Sequence, residues 1–245
     1  MGLVATSPNR RTVLGLLLGT GLVASRAGTP QTAAVVCRPP PSVVLDYDVQ
    51  GRISGFNFRA DGQLDWRLDA NGYLARLSLS MPLLGKREQT SEGLIGPDGL
   101  QPERFVDRRR SKQRQVQFER ADHRIRFGND AAVTDLLPGA QDRLSLFMQL
   151  AGLMRAQPRK SGEHVEFQVA GFGDAEVWRF DIGAQQRLDL PAGQLGAVHI
   201  ARAPRKPNDS RVELWLSPEL DHLPVRLRVT QPEGDVADQL LARRP

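Results

Sequence analysis

The most strongly charged stretch of the sequence is residues 104–126, which contain nine basic and three acidic residues. Arginine side chains bind phosphate, sulfate or carboxylate groups through paired N–H donors. Five of these basic side chains are the candidate ligand-binding residues, namely Arg104, Arg108, Arg110, Lys112 and Arg114. The competing interpretation is a solvated surface whose charge prevents sheet-edge aggregation, since most exposed charge runs bind no ligand.

Candidate catalytic groups are scattered and form no local motif. The four histidines, at positions 123, 164, 199 and 222, lack the His-x-His or His-x-x-x-His spacing of a metal site. The sequence has no Gly-x-Ser-x-Gly elbow, no Walker loop and no dinucleotide-binding fingerprint. Carboxylates from separate strands could still form a glycosidase-type pair, which a linear motif does not reveal. We therefore expect no cofactor and no metal, name no catalytic residue, and leave the question of enzymatic activity open, with a preference against it.

Charge and cysteine content exclude two further classes of protein. Residues 1–27 hold three arginines and no acidic residue, which leaves 30 basic and 28 acidic residues in the rest of the chain. Such a balance does not indicate nucleic-acid binding. The single cysteine, Cys37, excludes an internal disulfide and a multi-cysteine metal site. We expect a free thiol and no lipoprotein form, because Val36 replaces the small residue that precedes a lipidated cysteine.

The beginning of the chain has the pattern of an export signal. Arg10 and Arg11 precede an apolar run of about 12 residues, and small residues flank Arg26 at a cleavage site. This run is shorter than the roughly 20 residues that a membrane-spanning helix needs, so we expect no transmembrane span in the mature chain. The arginine pair resembles a twin-arginine signal, and a general secretory signal is the alternative. We predict a signal peptide (1–27), a proline-rich linker (28–42) and a β-rich envelope domain (43–245) located in the periplasm.

Most of the remaining chain alternates polar and apolar residues, which is the period of a β-strand with one buried face. Residues 225–229, Val-Arg-Leu-Arg-Val, are the clearest example. Asn71-Gly72 between two alternating runs predicts a tight hairpin. Because one-sided burial is typical of antiparallel sheets, we predict a mainly β fold, with a single curved antiparallel sheet or half-open β-barrel.

Residues 141–155 depart from this alternation. Their apolar residues, at positions 144, 147, 148, 151 and 154, have helical spacing. Pro138-Gly139 precedes the segment and Pro158 follows it. We predict one α-helix here, buried on the concave side of the sheet or at one of its open ends.

Several short motifs occur in a characteristic order. They are Gly99-Leu100-Gln101-Pro102, Val116-Gln117-Phe118, Asp142-Arg143-Leu144-Ser145, Glu213-Leu214-Trp215-Leu216 and Leu223-Pro224-Val225-Arg226. Together they resemble a bacterial envelope family, the domain of unknown function 3108 (DUF3108), over most of residues 43–241. The resemblance implies an exported, curved antiparallel sheet, somewhat like the half-open barrels of lipoprotein carriers. It supplies no activity and no catalytic residues.

These observations favour a non-enzymatic protein of the periplasm or envelope. Such a protein would bind an apolar or anionic amphipathic ligand, a lipid for example, in the concavity of the half-barrel near the basic side chains. The alternative is a hydrolase or lyase that acts on envelope glycan or lipid, with carboxylates and histidines assembled from separate strands. A third hypothesis is an assembly factor that uses an exposed sheet edge.

Overall fold

The computed structural model describes residues 36–70, 72–81, 85–128, 132–171 and 173–245. The predicted signal peptide and the first part of the predicted linker lie outside the described residues. The strands are β1 (Val43–Ile53), β2 (Phe56–Leu68), β3 (Tyr73–Met81), β4 (Gly85–Gly96), β5 (Gly99–Arg109), β6 (Lys112–Glu119), β7 (Arg124–Phe127), β8 (Val133–Asp135), β9 (Gln141–Asp142), β10 (His164–Ala170), β11 (Ala175–Leu190), β12 (Gly193–Arg202), β13 (Arg211–Ser217), β14 (Leu223–Thr230) and β15 (Val236–Leu241). The described residues include one α-helix, α1 (Ser145–Ala156), and two short 3-10 helices, Arg120–Asp122 and Pro218–Leu220.

All these strands form one sheet, in the order β8-β7-β6-β5-β4-β3-β2-β1-β15-β14-β13-β12-β11-β10-β9. Neighbouring strands are antiparallel, except that β9 runs parallel to β10. The first and last strands pair in the middle of the sheet, where Tyr47 of β1 lies opposite Leu241 of β15. The predicted mainly β fold, with a single curved sheet and one helix, is confirmed.

The strands form because alternate side chains lie on opposite faces of the sheet. In β1, Leu45, Tyr47 and Val49 are buried, whereas Asp48 is exposed. The buried face is the concave, inner face, and the other is the outer face. Gly62 of β2 lies on the inner face, where a Cβ atom would approach Val49 Cγ2 to 2.9 Å. The absence of a side chain there lets the two strands bend closely around the core.

The sheet curves until its two edges approach each other. The edge strands β8 and β9 are consecutive in the chain. The Gln168 side chain on β10 donates from Nε2 to the carbonyl of Asp135 (2.8 Å) and accepts at Oε1 from the amide of Leu137 (2.9 Å). One side chain thus links the β8 edge to β10, where a closed barrel would have a backbone ladder.

Helix α1 fills much of the space inside this half-open barrel. Residues 145–154 are all buried, which is typical of a helix surrounded by core. The helix begins later than predicted because Gln141 and Asp142 pair with β10 as β9. Asp142 Oδ1 then accepts from the amides of Leu144 and Ser145, both at 2.8 Å. These bonds satisfy two of the amide donors that a helix start leaves open.

Residues 36–41, within the predicted linker, lie against the helix. The amide of Arg38 donates to the carbonyl of Gly152 (2.9 Å), and the indole of Trp66 donates to the carbonyl of Pro40 (2.9 Å). The Cys37 thiol lies 3.4 Å from Gln149 Oε1. Burial raises the pKa of this thiol to about 12. This segment therefore completes the packing around α1.

The barrel has two different ends. Helix α1 extends toward the end at which Gln149 Nε2 donates to the carbonyl of Asp98 (2.8 Å), which we call the helix end. The β1–β2, β5–β6 and β12–β13 turns lie at the opposite end, together with the paired strand ends Met81 and Gly85. We call this end the mouth end. Among the described residues, no helix combines the length and apolar character that crossing a bilayer requires.

Candidate anion-binding site

The structure divides the five predicted ligand-binding residues between the two faces of the sheet. Arg104 and Arg108 lie on the outer face of β5, opposite Glu92 and Glu88 of β4. Lys112 and Arg114 lie on the inner face of β6, and Arg110 occupies the β5–β6 turn with a positive φ of 51°. The five side chains therefore do not converge on one ligand.

The outer face carries a small pocket of about 160 Å³ at these strands. Its lining residues are Arg76, Glu88, Thr90, Glu92, Arg104, Val106 and Arg108. Arg104 Nη1 lies 3.7 Å from Glu92 Oε1, and Arg108 donates to Gln113 Oε1 at 2.9 Å and 3.2 Å. Among these lining residues Val106 is the one apolar side chain, so the pocket offers little apolar surface beside its charged groups.

The inner face at the mouth end presents a denser group of arginines. On the wall formed by β4–β6, Arg87 forms a two-pronged bond to Asp107, with distances of 3.0 Å and 2.7 Å. Arg114 lies opposite Asp107 in the register, and Arg109 lies opposite Arg87. Arginine side chains thus surround a single aspartate on this wall.

The facing wall contributes an arginine stacked on an aromatic ring. The Arg202 guanidinium lies 4.3 Å from the centroid of the Trp178 ring, a distance that permits a cation–π interaction. Its Nη1 donates to the carbonyl of Ser210 (2.6 Å) and its Nη2 to Asp209 Oδ2 (2.8 Å). The buried Nε atom of Arg202 has no hydrogen-bond partner in the described structure.

Arg143 lies between the two walls, just before α1. Its guanidinium is 5.7 Å from the Trp178 ring centroid. Loss of contact with water lowers the pKa of Arg143; Asp174 and Asp107 oppose this effect, and Arg87 and Arg202 add to it. We call Arg87, Asp107, Arg143, Trp178 and Arg202 the mouth cluster. Its three guanidinium groups come from β4, from the segment between β9 and α1, and from β12.

Apolar side chains lie next to the mouth cluster on the same inner face. Leu79 of β3 is opposite Arg87 and also opposite Gly62, and Phe58 lies farther along β2. Phe58, Leu79, Met81 and Trp178 pack against the core but are only partly buried. This end of the barrel therefore combines positive charge with an apolar surface that the protein does not fully cover.

A second polar group lies deep inside the barrel. Ser91 Oγ donates to Asp142 Oδ2 (2.6 Å) and lies 3.0 Å from the Tyr73 hydroxyl. Burial raises the pKa of Asp142 to about 6, although hydrogen bonds from Ser91, Ser145 and Leu144 oppose the shift. Ser91 and Asp142 have no exposed surface, so a substrate cannot reach them. We interpret these residues as the attachment of α1 to β4.

The histidines are dispersed in the fold as well. His199 stacks on Trp215 with a centroid distance of 4.7 Å, and its Nε2 lies 3.2 Å from Glu213 Oε1, on the outer face. Within the described ranges, no three His, Cys, Asp or Glu side chains are grouped as a metal site would require.

The mouth cluster was not predicted from the sequence. Arg87, Arg143 and Arg202 are separated by more than 50 residues each and belong to different elements. The one local signal is Arg143, a charged residue at the start of a segment with buried helical periodicity. Arg114, which was predicted, lies beside the cluster.

The family model described as "Protein of unknown function (DUF3108)" matches residues 47–240. No curated protein matches the sequence significantly. A solved β-barrel-like protein of domain of unknown function DUF1849 from Brucella abortus is similar, with a TM-score of 0.54 and 15% identity, over 85% of this chain and 98% of that chain. This likeness shows the fold alone.

Two further structures have lower scores and carry no functional argument. One is an exported-protein candidate with a YmcC-like fold from Bacteroides fragilis (TM-score 0.35, 10% identity, 86% of this chain and 98% of that chain). The other is a DUF1329 family protein from Desulfovibrio piger (TM-score 0.30, 9% identity, 81% of this chain and 83% of that chain).

The family match spans most of the domain, from β1 to β15, and agrees with the order of motifs in the sequence. The chain therefore belongs to the DUF3108 family of proteins of unknown function.

Proposed function

We propose that the protein is an exported, non-enzymatic binding protein of the periplasm that takes up an anionic amphipathic ligand at the mouth end of its barrel. The anionic head group binds among the arginines of the mouth cluster. The apolar part of the ligand lies along Phe58, Leu79 and Met81.

The observation that carries this proposal is the position of Arg143 between two walls that each supply another arginine. A guanidinium that has lost part of its hydration binds an anion more strongly than one in open water, because the local dielectric constant is lower. The Trp178 ring holds two of the guanidinium groups in place. The partly buried apolar side chains beside Arg87 favour an amphipathic ligand over a small inorganic anion.

The ligand site is smaller than the whole concavity. Helix α1 and residues 36–41 fill the helix end with protein side chains, so the proposed site is limited to the mouth end. The basic residues predicted from the sequence contribute unequally to it. Lys112 and Arg114 lie on the inner face near the mouth cluster, whereas Arg104 and Arg108 lie outside the barrel.

The alternative of a hydrolase or lyase has no comparable support. The carboxylate–hydroxyl group of Asp142 and Ser91 is fully buried, and the His199–Glu213 pair lies on the outer face of the sheet, opposite to the face that carries the mouth cluster. Neither group belongs to the mouth cluster, where we place the ligand.

A fluorescent fatty acid tests the proposal directly. Titration with 11-(dansylamino)undecanoic acid and with its uncharged methyl ester compares an anionic and a neutral head group on one chain. We expect the acid to bind more tightly than the ester. We expect Arg143→Gln to weaken binding of the acid by at least about tenfold, since a hydrogen bond to a charged group contributes about 1.5–3 kcal/mol.

Arg67→Gln is the matched control, because Arg67 is an exposed arginine at the helix end of β2. This variant should bind the acid as the unaltered protein does. Arg114→Gln provides a second mouth variant if Arg143→Gln does not fold. Equal affinity for acid and ester, or equal loss in the Arg67 variant, would contradict the proposal.

A further inference from the structure

The β1–β2 hairpin carries an exposed aromatic residue at the mouth end. Ile53 pairs with Phe56, and the two residues between them, Ser54 and Gly55, have φ values of 50° and 84°. Two consecutive positive φ values give a tight turn whose twist matches the strands. Phe56 follows this turn and is 79% exposed. A tight, regular hairpin therefore presents a phenyl ring to solvent.

This hairpin extends beyond the adjacent strand β3. At the mouth end, the ladder between β2 and β3 stops at the pair Asp61–Ser80 and β3 ends at Met81, so residues 56–59 extend about 13 Å farther. Asp235 holds the tip by accepting from the amide of Ser54 (2.7 Å), and Arg52 donates to the carbonyl of Gly234 (3.3 Å). Because the β14–β15 turn supports the tip in this way, Phe56 projects on a supported hairpin.

Basic side chains accompany Phe56 at the same end. Six exposed ones on the β1–β2, β3–β4 and β5–β6 hairpins are Arg52, Arg59, Lys86, Arg109, Arg110 and Lys112. Acidic groups at this end include Asp235 and Glu88, which bond to the Ser54 amide and to Lys86, and the exposed Glu233 of the β14–β15 turn. We call these six basic residues and Phe56 the rim. Its charge is strongly positive.

We propose that the rim docks the protein onto the surface of a bilayer rich in anionic lipid. An exposed aromatic side chain partitions into the interfacial region of a bilayer, and basic side chains beside it are attracted to anionic head groups. Neither a soluble ligand nor a neutral surface matches both features. Docking at the rim turns the mouth cluster toward the lipid head groups, and in this respect the inference rests on the function proposed above.

Vesicle co-sedimentation measures this docking. The protein is purified from cells that express the full chain, in the processed form that accumulates, and is mixed with vesicles of phosphatidylglycerol and phosphatidylcholine in equal parts or of phosphatidylcholine alone. We expect binding to the anionic vesicles that weakens in high salt, because surface charge attraction is screened. Phe56→Ser should weaken the vesicle partition coefficient about tenfold, from the apolar area that no longer leaves water.

Arg110→Glu should weaken partitioning roughly thirtyfold, since it removes one attractive charge and adds one repulsive charge, each equivalent to about a fivefold change. Two matched controls are available. Val44→Ser alters an exposed apolar residue at the far end of β1, and Lys160→Glu reverses an exposed charge after α1. Both controls should partition as the unaltered protein does.

Two results would overturn the inference. The first is equal binding of the protein to both vesicle compositions. The second is that Phe56→Ser and Arg110→Glu change the partition coefficient no more than the two control substitutions do. Self-association that Phe56→Ser abolishes, without vesicle binding, would assign the rim to contact between copies of the chain instead. The fatty-acid titration separates the two proposals. Arg143→Gln should weaken fatty-acid binding and leave vesicle docking in place. Phe56→Ser should weaken vesicle docking and leave fatty-acid binding in place.

Discussion

Replacing Asp142 by asparagine tests how protonation of Asp142, in the buried Tyr73–Ser91–Asp142 group, affects the stability of the fold. Burial raises the pKa of Asp142 from 3.8 to about 6. Between about pH 4 and pH 6, the folded protein therefore retains a proton at Asp142 that the unfolded chain has released, so the free energy of unfolding falls as the pH rises. At 1.36 kcal/mol per pKa unit, this contribution falls by about 2.5 kcal/mol between pH 4 and pH 7.

Urea unfolding followed by circular dichroism at several pH values between 4 and 7 provides the assay. The quantity of interest is the unfolding free energy of the unaltered protein minus that of Asp142→Asn, because the difference removes the contribution of groups that both proteins share. The asparagine oxygen can still accept from the amides of Leu144 and Ser145. Asp48→Asn, at an exposed carboxyl group on β1, is the matched control for the replacement of a carboxyl group by an amide.

The direction in which this difference in unfolding free energy changes with pH decides the outcome. If the difference rises with pH, the hydrogen bonds to the Asp142 carboxylate outweigh its burial and the shift has the opposite direction. A difference that stays constant from pH 4 to pH 7 would show that Asp142 titrates alike in the folded and unfolded chains. Either result would refute the reasoning that burial dominates at this site.

Three further predictions concern other parts of the chain. Because burial raises the pKa of Cys37 to about 12, we expect its reaction with a disulfide reagent at pH 8 to be much slower in the folded protein than in urea, as followed by absorbance. Gln168→Ala removes both bonds from the Gln168 side chain on β10 to Asp135 and Leu137, which should lower the free energy of unfolding by about 1–3 kcal/mol and accelerate hydrogen exchange at β8, with Gln113→Ala as the control. Replacing Arg10 and Arg11 by lysine should keep the protein in the cytoplasm if the twin-arginine route is used, whereas unchanged export, measured by cell fractionation, would favour the general secretory route.

Much of the fold followed from the polar–apolar alternation of the sequence. A strand with one buried face shows this alternation whatever its partners are. Residues 225–229, which alternate, lie in β14 as predicted. The helix was equally predictable, because no strand accommodates apolar residues spaced three and four apart. Its start was less predictable, since Gln141 and Asp142 adopt their strand conformation through pairing with β10.

Other elements depend on partners that are remote in the chain. Strand β15 buries Asp238 and Gln239 and shows no clear alternation. Asp238 is buried because Arg226 on β14 binds both of its oxygens, at 2.8 Å and 2.6 Å. Such a strand is defined by an ion pair across the sheet and not by its own pattern, so the sequence alone did not reveal it.

The candidate site was predicted less well than the fold. The basic run at residues 104–114 was conspicuous because its charges are adjacent in sequence, yet alternation places those charges on two faces. The mouth cluster is instead assembled by the curvature of the sheet and by α1, which bring Arg87, Arg143 and Arg202 together. Sequence reasoning recognises charge density along the chain, whereas an anion site requires charge density in space.

The pairing of β1 with β15 has a consequence for biosynthesis. During translation, the strands from β1 to β14 can pair with neighbours as each emerges from the ribosome, but one side of β1 stays open until β15 is made. A nascent chain therefore exposes the open edge of β1 for nearly the whole period of its synthesis, and the open edge of β14 only from the time that strand is made. We expect ribosome-bound chains that lack β15 to be bound by chaperones and cleaved by proteases. Both chaperone binding and cleavage should decrease once β15 pairs with β1 and β14.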